Sequence, residues 1–381
     1  MKILHVVPAF YPSSAYGGPI EAVYRLCRLL AEQRHDVRVL TTNGNGRHAV
    51  IPVDLTHEVA LADGLRVRYC ERRSRQSVSP TLVKLLPSYV RWADVVHLSG
   101  VYSFPTIPTL LACRLLGKPV VWSPHGALQR WAHSRRVMGK KLFELACKAV
   151  MPRTVVCHVA SAEEGDHCHR VGSVDVAILP HGVDIPPLPA PPGSSNGTLR
   201  MLYLGRLDPI KGIENLLTAC RILLDTSPLK WSLRIVGGGD LEYVRQLDEK
   251  VRELGLTGQV VMPGAVTGHA KDHIFDGVDL VVVPSHRESF GLVVAEALAH
   301  GVPVVVSTGA PWQAIEAVRC GLFVSNSPAA LAGAIERIQT MALREMGLRG
   351  RDWMAREFSW QTIATRMEGL YRGLETRVRA C

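Results

Sequence analysis

The chain has 381 residues, of which 47% are hydrophobic and 20% are charged. This length exceeds one ordinary core and predicts two domains, while the composition excludes wholesale disorder. The net charge of +10 is uneven, because residues 1–184 hold 23 Lys and Arg against 14 Asp and Glu, whereas residues 185–381 hold 21 against 20. The basic half favours an anionic partner such as lipid or nucleic acid; a basic solvated surface is an equally good interpretation.

The first half alternates strand-like and helix-like segments. Amphipathic spacing predicts helices in PIEAVYRLCRLLAEQRH and TIPTLLACRLLG. Strands alternating with helices indicate βαβ units and a parallel sheet. The apolar runs predicted as strands are KILHVV, HDVRVLTTN, ADVVHLSG, PVVWSPHG, TVVCHVASA and VAILPHGVD.

Residues 185–198 read IPPLPAPPGSSNGT and are the strongest linker signal in the chain. The alternation of strands and helices restarts at residue 199, and the tail FSWQTIATRMEGLYRGLETRV predicts a long amphipathic helix. We therefore predict an α/β fold with two Rossmann-like, doubly wound parallel-sheet domains, 1–184 and 199–358. Such domains bind ligands at the carboxyl ends of their strands, here facing a cleft between the domains.

The cysteines and the amino-terminus predict the compartment. The nine cysteines form no C-x-x-C pair, and an odd number in a large chain predicts free, mostly buried thiols in a reducing cytoplasm. The HCH run at 167–169 lacks a second ligand pair and is interpreted as surface polarity on a helix. The apolar run in MKILHVVPAF is too short for a signal peptide, and no run approaches the roughly 20 apolar residues of a membrane span. We expect a cytoplasmic protein, at most peripheral to a membrane.

The loop LGRLDPIKGIENLL follows a predicted strand and opens a predicted helix. It places Arg206 and Lys211 near a helix amino-terminus, where Gly205 and Gly212 permit tight backbone. Two cations near a helix amino-terminus are suited to bind an anion, and a diphosphate fits this arrangement best. The ordinary alternative, surface cations at a helix start, is disfavoured by the helix dipole. The VGGGD turn at 236–240 lacks the full G-x-G-x-x-G spacing and predicts only a close backbone approach to a ligand or a neighbouring helix.

The segment HRESFGLVVAE places two acids eight residues apart around a predicted helix start. Glu288 alone is compatible with a helix cap. Glu296 lies inside LVVAEAL, where an acid is buried unless something pairs with it. An ionised carboxylate accepts ligand hydroxyls, so we predict that Glu296 contacts a ligand.

Residues 130–153 hold seven cations and one acid. Their apolar residues have helical spacing, and we expect this stripe to pack into the core and leave a solvated basic face. The alternatives are a membrane-surface helix beside the acceptor site, and a helix that packs its apolar side inward while its cations face anionic lipid. The apolar stripe consists of Leu142, Phe143, Leu145, Ala146, Ala149 and Val150.

Taken together, these motifs resemble the retaining glycosyltransferases of family 4, which have the GT-B fold. The resemblance rests on the strand followed by E-x7-E, on GRLDPIKG with GGGD after it, on SPHGAL and LPHGVD, and on the first βαβ unit with its Gly-Gly loop. It covers essentially the whole chain, and the tail resembles the family's helix that crosses back to the first domain, here 359–381. His181 departs from the usual Asn of P-N-G-V-D, Ser289 stands where Gly is also common, and GGPIEAV replaces the frequent GGAERVV.

The resemblance implies roles for individual residues. Arg206 and Lys211 would hold the diphosphate of a nucleotide-sugar donor, Glu296 the ribose hydroxyls, and Glu288 the transferred sugar. His125 would lie beside sugar and acceptor and, with Glu288, form the catalytic set. The remaining donor-binding residues implied are Gly17 and Gly18 in the first domain and the backbone amides of Phe290, Gly291 and Leu292.

Breaking a glycosyl phosphate requires stabilisation of charge on the leaving diphosphate. No D-x-D motif is present, so we expect no metal and no cofactor. The predicted function is transfer of a sugar to a glycan or lipid-linked acceptor in the synthesis of cell-surface polysaccharide or lipopolysaccharide. A sugar-nucleotide epimerase or hydrolase and a non-catalytic binding protein remain alternatives, and no nucleic-acid-binding signature is visible.

Overall fold

The computed structural model describes residues 1–13, 18–46, 48–74, 76–129, 137–188, 197–266 and 273–379. The chain forms two compact units. Unit 1 comprises Met1–Gly182 and Trp360–Cys381, and unit 2 comprises Val183–Ser359. Much of the predicted linker, 189–196, lies outside the described residues, and its last residue, Thr198, already begins a strand.

Within its described residues, unit 1 contains an eight-stranded sheet with the order β10-β9-β8-β7-β1-β2-β6-β5, parallel except for the β5–β6 pair. Its central strands β1, β7, β8 and β9 are buried along almost their whole length, as expected where helices cover both faces. The strands are β1 (Lys2–Val6), β2 (Asp36–Thr42), β5 (Val59–Ala62), β6 (Leu65–Cys70), β7 (Val95–Ser99), β8 (Val120–Ser123), β9 (Val155–Val159) and β10 (Asp175–Ile178), and β3 (Gly44–Asn45) and β4 (Ala49–Val50) form a separate hairpin.

The helices of unit 1 cover its sheet with apolar faces. The last helix of the chain packs against the first, and its Met367 and Tyr371 join the core formed by Ile3 and Cys27. Unit 1 is therefore completed by the carboxyl-terminal segment of the sequence. Its helices are α1 (Gly18–Glu32), α2 (Pro80–Trp92), α3 (Thr106–Leu116), α4 (Val137–Ala149), α5 (Ala162–Gly165) and, at the end of the chain, α12 (Trp360–Arg379).

Unit 2 contains, over its described part, a six-stranded parallel sheet with the order β13-β12-β11-β14-β15-β16. The chain winds outward from β11 in one direction and from β14 in the other, so the switch point of the sheet lies between these two strands. The strands are β11 (Thr198–Leu204), β12 (Lys230–Val236), β13 (Val260–Gly264), β14 (Leu280–Val283), β15 (Val304–Ser307) and β16 (Gly321–Val324). The helices are α6 (Ile213–Thr226), α7 (Leu241–Glu253), α8 (Leu292–Ala299), α9 (Ala314–Val318), α10 (Pro328–Ile338) and α11 (Leu343–Glu357).

The predicted α/β class with doubly wound parallel sheets is confirmed. The eight cysteines within the described residues are free and buried, as the sequence predicted. The surface interpretation of the HCH run is wrong for Cys168, which is buried because it packs into the core beside α4. No helix in the described part of the chain combines the length and the apolar character needed to cross a membrane.

The orientation of α4 differs from the prediction. Leu142 and Leu145 are 68% and 62% exposed, and Ala149 is exposed as well, so three of the six residues of the predicted inward stripe face solvent. The inward face instead carries Cys147 and Glu144, whose carboxylate accepts a hydrogen bond from the Tyr102 hydroxyl. This contact places Glu144 on the buried side of the helix.

Candidate functional site

The loop between β11 and α6 is held by its aspartate and glycine. Asp208 caps the short 3-10 turn Pro209–Lys211 by accepting the Ile210 N–H at 3.1 Å. Gly212 is the amino-terminal cap of α6 and has φ +64°. A Cβ at this position would overlap the carbonyl oxygen of Pro284, just after β14. Glycine is therefore required here, and the loop lies against the end of the neighbouring strand.

The glycine-rich turn after β12 lies against the same loop. A Cβ on Gly237 would overlap the carbonyl oxygen of Gly205, and one on Gly239 would overlap that of Leu207. The Leu207 N–H donates to the Gly238 carbonyl at 2.8 Å. The close approach predicted for VGGGD therefore exists within unit 2, and its partner is the loop that carries Arg206.

The switch point brings Lys211 and Glu288 together. Lys211 Nζ lies 2.6 Å from Glu288 Oε1, and the two side chains are 19% and 12% exposed. The Ser285 hydroxyl donates to the same carboxylate oxygen at 2.8 Å. Because both charges are largely buried, this pair is held more firmly than a surface ion pair. It places a cation and an acid from two different loops at one point.

Helix α8 starts beside this pair, at Leu292. Its amino-terminal cap is Gly291, with φ +82°, and no side chain caps the helix there. Phe290 is buried against Trp312, whose indole N–H donates to the Phe290 carbonyl. The first-turn amides of a helix without a side-chain cap are the groups that bind an anion best.

Arg206 and Glu296 differ from expectation. Arg206 is 66% exposed and pairs with Asp208 at 2.9 Å, as a loosely held surface cation. Glu296 is half-buried, whereas the sequence predicted burial. Five of the eight residues of α8 are buried, and position 296 is one of the three that are not.

His125 follows β8 in unit 1. Its backbone has φ +52°, its ring stacks on that of His181 at 5.7 Å, and its Nε2 is buried without a hydrogen-bond partner among the described residues. Burial, aided by His181, holds the pKa of His125 well below its usual value, so the ring is neutral. Gly18 is the first residue of α1, and Gly17 lies outside the described residues.

Two groups around His125 were not predicted from the sequence. Glu164 is a buried acid on α5 whose carboxylate accepts the Gly126 N–H, and Ser123 bridges two buried histidines. A partial signal existed, because Ser161 and Glu164 have the spacing of a capping box. No group of three or more His, Cys, Asp or Glu side chains in the described ranges is placed to hold a metal ion.

Two family models match adjacent parts of the chain. The model for glycosyl transferases group 1 matches residues 184–349, and the model for glycosyltransferase family 4 matches residues 16–185. Together they account for nearly the whole sequence. The chain belongs to the GT-B glycosyltransferases.

Relatives of this glycosyltransferase differ in how much of their length it matches. The GDP-mannose:cellobiosyl-diphosphopolyprenol alpha-mannosyltransferase of Xanthomonas oryzae is 27% identical, over 90% of this chain and 88% of that protein. The D-inositol 3-phosphate glycosyltransferase of Acidothermus cellulolyticus is 32% identical, over 45% of this chain and only 40% of that protein.

Solved structures share the whole fold. The sucrose-phosphate synthase of Thermosynechococcus elongatus superposes with a TM-score of 0.75 at 22% identity, covering 99% of both chains. The Anabaena protein HepE, solved with UDP and glucose, has a TM-score of 0.73 at 17% identity and covers 98% of this chain and 100% of its own. At these identities the likeness shows the fold alone.

Proposed function

We propose that the protein is a retaining hexosyltransferase that moves a sugar from a nucleotide-diphosphate sugar to a glycan or lipid-linked acceptor. The observation that carries the proposal is the Lys211–Glu288 pair at the switch point of unit 2, beside the α8 amino-terminus. A cation and unshared helix amides bind a diphosphate, and a partly buried carboxylate accepts sugar hydroxyls. Solved relatives with this fold contain UDP or UDP-glucose.

The site supports a step that needs no protein nucleophile. The bond between the anomeric carbon and the phosphate oxygen breaks, and its electron pair leaves with the diphosphate. The acceptor hydroxyl forms the new bond on the same face of the sugar, and its proton passes to an oxygen of the leaving phosphate. Lys211, Arg206 and the first-turn amides of Leu292 and its neighbours stabilise the leaving charge, so the step proceeds without a metal.

We propose further contacts between the donor and side chains whose positions were described above. Glu296 is half-buried one turn further along α8, where it can reach the ribose hydroxyls. Glu288 contacts the transferred sugar, and neutral His125 offers a ring nitrogen to sugar or acceptor. Gly18, at the start of α1, has no side chain and leaves its backbone open to the diphosphate. The role proposed for Gly17 rests on the sequence motif alone.

The acceptor side is proposed to be lipid-linked and to lie at an anionic membrane surface. Helix α4 exposes Met138, Leu142 and Leu145 along one face, 78%, 68% and 62% exposed, with the exposed Lys141 and Lys148 beside them. Apolar side chains flanked by lysines are typical of helices that lie on anionic bilayers. The Xanthomonas relative is named for a diphosphopolyprenol acceptor, which fits synthesis of a cell-surface polysaccharide or lipopolysaccharide on the cytoplasmic face.

The test is to screen UDP-, GDP- and ADP-sugars for thermal shift and then to measure nucleotide affinity by calorimetry. We expect Lys211→Ala to weaken binding about ten- to a hundredfold, because hydrogen bonds to charged groups contribute about 1.5–3 kcal/mol. The matched control is Lys230→Ala, an exposed lysine at the amino end of β12, the opposite edge of the sheet. An equal affinity of the Lys211 variant and the control would exclude the diphosphate role.

A sugar-nucleotide epimerase or hydrolase on the same fold is the second candidate, because it needs the same donor contacts. Incubation of the purified protein with the donor that binds, without any acceptor, separates the two. Isomerised or rapidly hydrolysed donor favours the second candidate, and an intact donor favours transfer. An anomeric configuration inverted in the transferred product would exclude the retaining step.

A further inference from the structure

The His125 turn has a backbone that must be held in place. A non-glycine residue with φ near +52° is uncommon, and it persists where the surroundings determine it. The turn runs from Ser123, the last residue of β8, through Pro124 and His125 to Gly126, which has φ +77°. What holds its two ends therefore decides where the His125 ring lies.

Glu164 holds the far end of the turn. Its side chain is 1% exposed, and its two carboxylate oxygens accept the Gly126 N–H and the Ala160 N–H, the latter at 2.9 Å. Burial raises the pKa of Glu164, and the two backbone hydrogen bonds oppose this rise. Within the described residues, both hydrogen bonds to this carboxylate come from backbone N–H groups. Amide donors, rather than a cation, are thus the partners of this acid.

A chain of hydrogen bonds holds the near end. Tyr371 Oη lies 2.5 Å from His97 Nδ1, and His97 Nε2 lies 2.6 Å from Ser123 Oγ. Ser123 Oγ also lies 2.6 Å from His158 Nδ1, whose Nε2 lies 2.9 Å from the Leu179 carbonyl oxygen. Burial lowers the pKa of His158 to about 4 and that of His97 well below its usual value, so both rings are neutral.

Neutral rings leave one arrangement of protons. The Leu179 carbonyl only accepts, so His158 donates from Nε2 and accepts at Nδ1. Ser123 must then donate to His158, His97 must donate to Ser123, and Tyr371 must donate to His97. In this series of hydrogen bonds, donation therefore runs in one direction, from the Tyr371 hydroxyl to the Leu179 carbonyl oxygen. The two hydrogen bonds of the Ser123 hydroxyl hold this end of the turn in place.

We propose that Glu164 is a positioning residue for His125, whose turn is clamped between the Glu164 carboxylate at Gly126 and the bridged hydroxyl of Ser123. The proposal rests on the proposed function, in which His125 lies beside the transferred sugar. Glutamate suits the position because two N–H donors converge on it. Glutamine offers one oxygen and places an NH2 group against the other donor.

A double-mutant cycle tests the clamp in the full-length protein. We expect Glu164→Gln to lower kcat about ten- to a hundredfold, because a displacement of about 1 Å has that effect, and to leave nucleotide affinity unchanged. In the His125→Ala background the same substitution should cost no further activity, because its effect passes through His125. The matched control is Asp166→Asn, an exposed acid at the end of the same short helix, which should retain wild-type kcat.

Each other result overturns the clamp. An unchanged kcat of Glu164→Gln, or an equal loss with and without His125, assigns Glu164 a structural role only. A wild-type kcat of His125→Ala overturns both the clamp and the role of His125, while the Lys211 test of the donor site stands independently. If Glu164→Gln does not fold, Ser123→Ala takes its place in the same cycle, with the same expected dependence on His125.

Discussion

At the scale of single residues, the fold of unit 2 pairs two charged side chains that are distant in the sequence. Lys211 and Glu288 lie 77 positions apart in sequence, yet they meet at 2.6 Å because β11 and β14 are neighbours at the switch point. Arg206, predicted as the equal of Lys211, pairs with nearby Asp208 and stays exposed. A bound diphosphate must therefore draw Lys211 partly away from Glu288, whereas Arg206 gives up only a weak surface pair.

Gly212 is the residue on which the geometry of this loop depends. We expect Gly212→Ala to lower the free energy of unfolding by about 1–3 kcal/mol, because alanine is strained at φ +64° and its Cβ overlaps the Pro284 carbonyl. It should also weaken nucleotide binding, since Lys211 precedes it. Urea unfolding and calorimetry measure the two effects.

Gly333→Ala is the control for this substitution, because Gly333 lies within α10 and a Cβ there meets nothing within 4 Å. It should raise stability by about 0.5–1 kcal/mol through helix propensity. Equal stabilities of the two variants would contradict the strain argument.

At the scale of elements, helix α4 shows why the spacing of apolar residues did not predict which face of a helix is exposed to solvent. Apolar residues lie on both the buried face and the exposed face of this helix, so their spacing is compatible with either face turned inward. In the structure the face with Glu144 is turned inward, and its carboxylate accepts a hydrogen bond from Tyr102. Leu142 and Leu145 consequently point to solvent beside Lys141.

This face should bind anionic vesicles. We expect the wild type to co-sediment with phosphatidylglycerol vesicles at low salt, and Leu142→Glu with Leu145→Glu to lower the partition at least tenfold, because burying one leucine contributes about 1.5–3 kcal/mol. Leu241→Glu, at a 78% exposed leucine of unit 2, is the matched control and should bind as the wild type does. No binding by the wild type would remove the membrane proposal.

At the scale of the whole molecule, the two units bury different chemistry. Unit 1 holds the neutral histidines of the clamp and also His5, which is 0% exposed and whose two ring nitrogens lack partners among the described residues. Burial lowers the pKa of His5 to about 3. The core of unit 2 around β11 and β12 consists mainly of apolar side chains. Acid should therefore act on the chain mainly through unit 1.

The pH dependence follows from the sign of these shifts. The unfolded histidines have a pKa of about 6.5 and take up protons that the folded chain refuses, so stability is complete above about pH 6.5 and falls as the pH drops toward about 4. Each histidine contributes a slope of about 1.4 kcal/mol per pH unit in this window. Thermal unfolding across the window measures it. His5→Phe should raise Tm near neutral pH and flatten the slope, and an identical slope in both proteins would contradict this account.

The sequence by itself determined the α/β class, the positions of most strands along the chain and the family, while the donor-site residues stay a prediction from its motifs. These follow from local periodicity and from motifs whose members lie within a few residues of one another. The elements that were not predicted are the hairpins β3–β4 and β5–β6, strand β16, and helices α2, α5, α9, α10 and α11.

Only the tertiary structure decided the Lys211–Glu288 pair, the half-exposure of Glu296, the outward face of α4 and the clamp around His125. Each depends on groups distant in the chain; Tyr371 and His97, for example, are 274 positions apart. Such contacts are set by strand order and helix rotation. The pattern of neighbouring residues constrains these only loosely, because several packings bury the same apolar residues equally well.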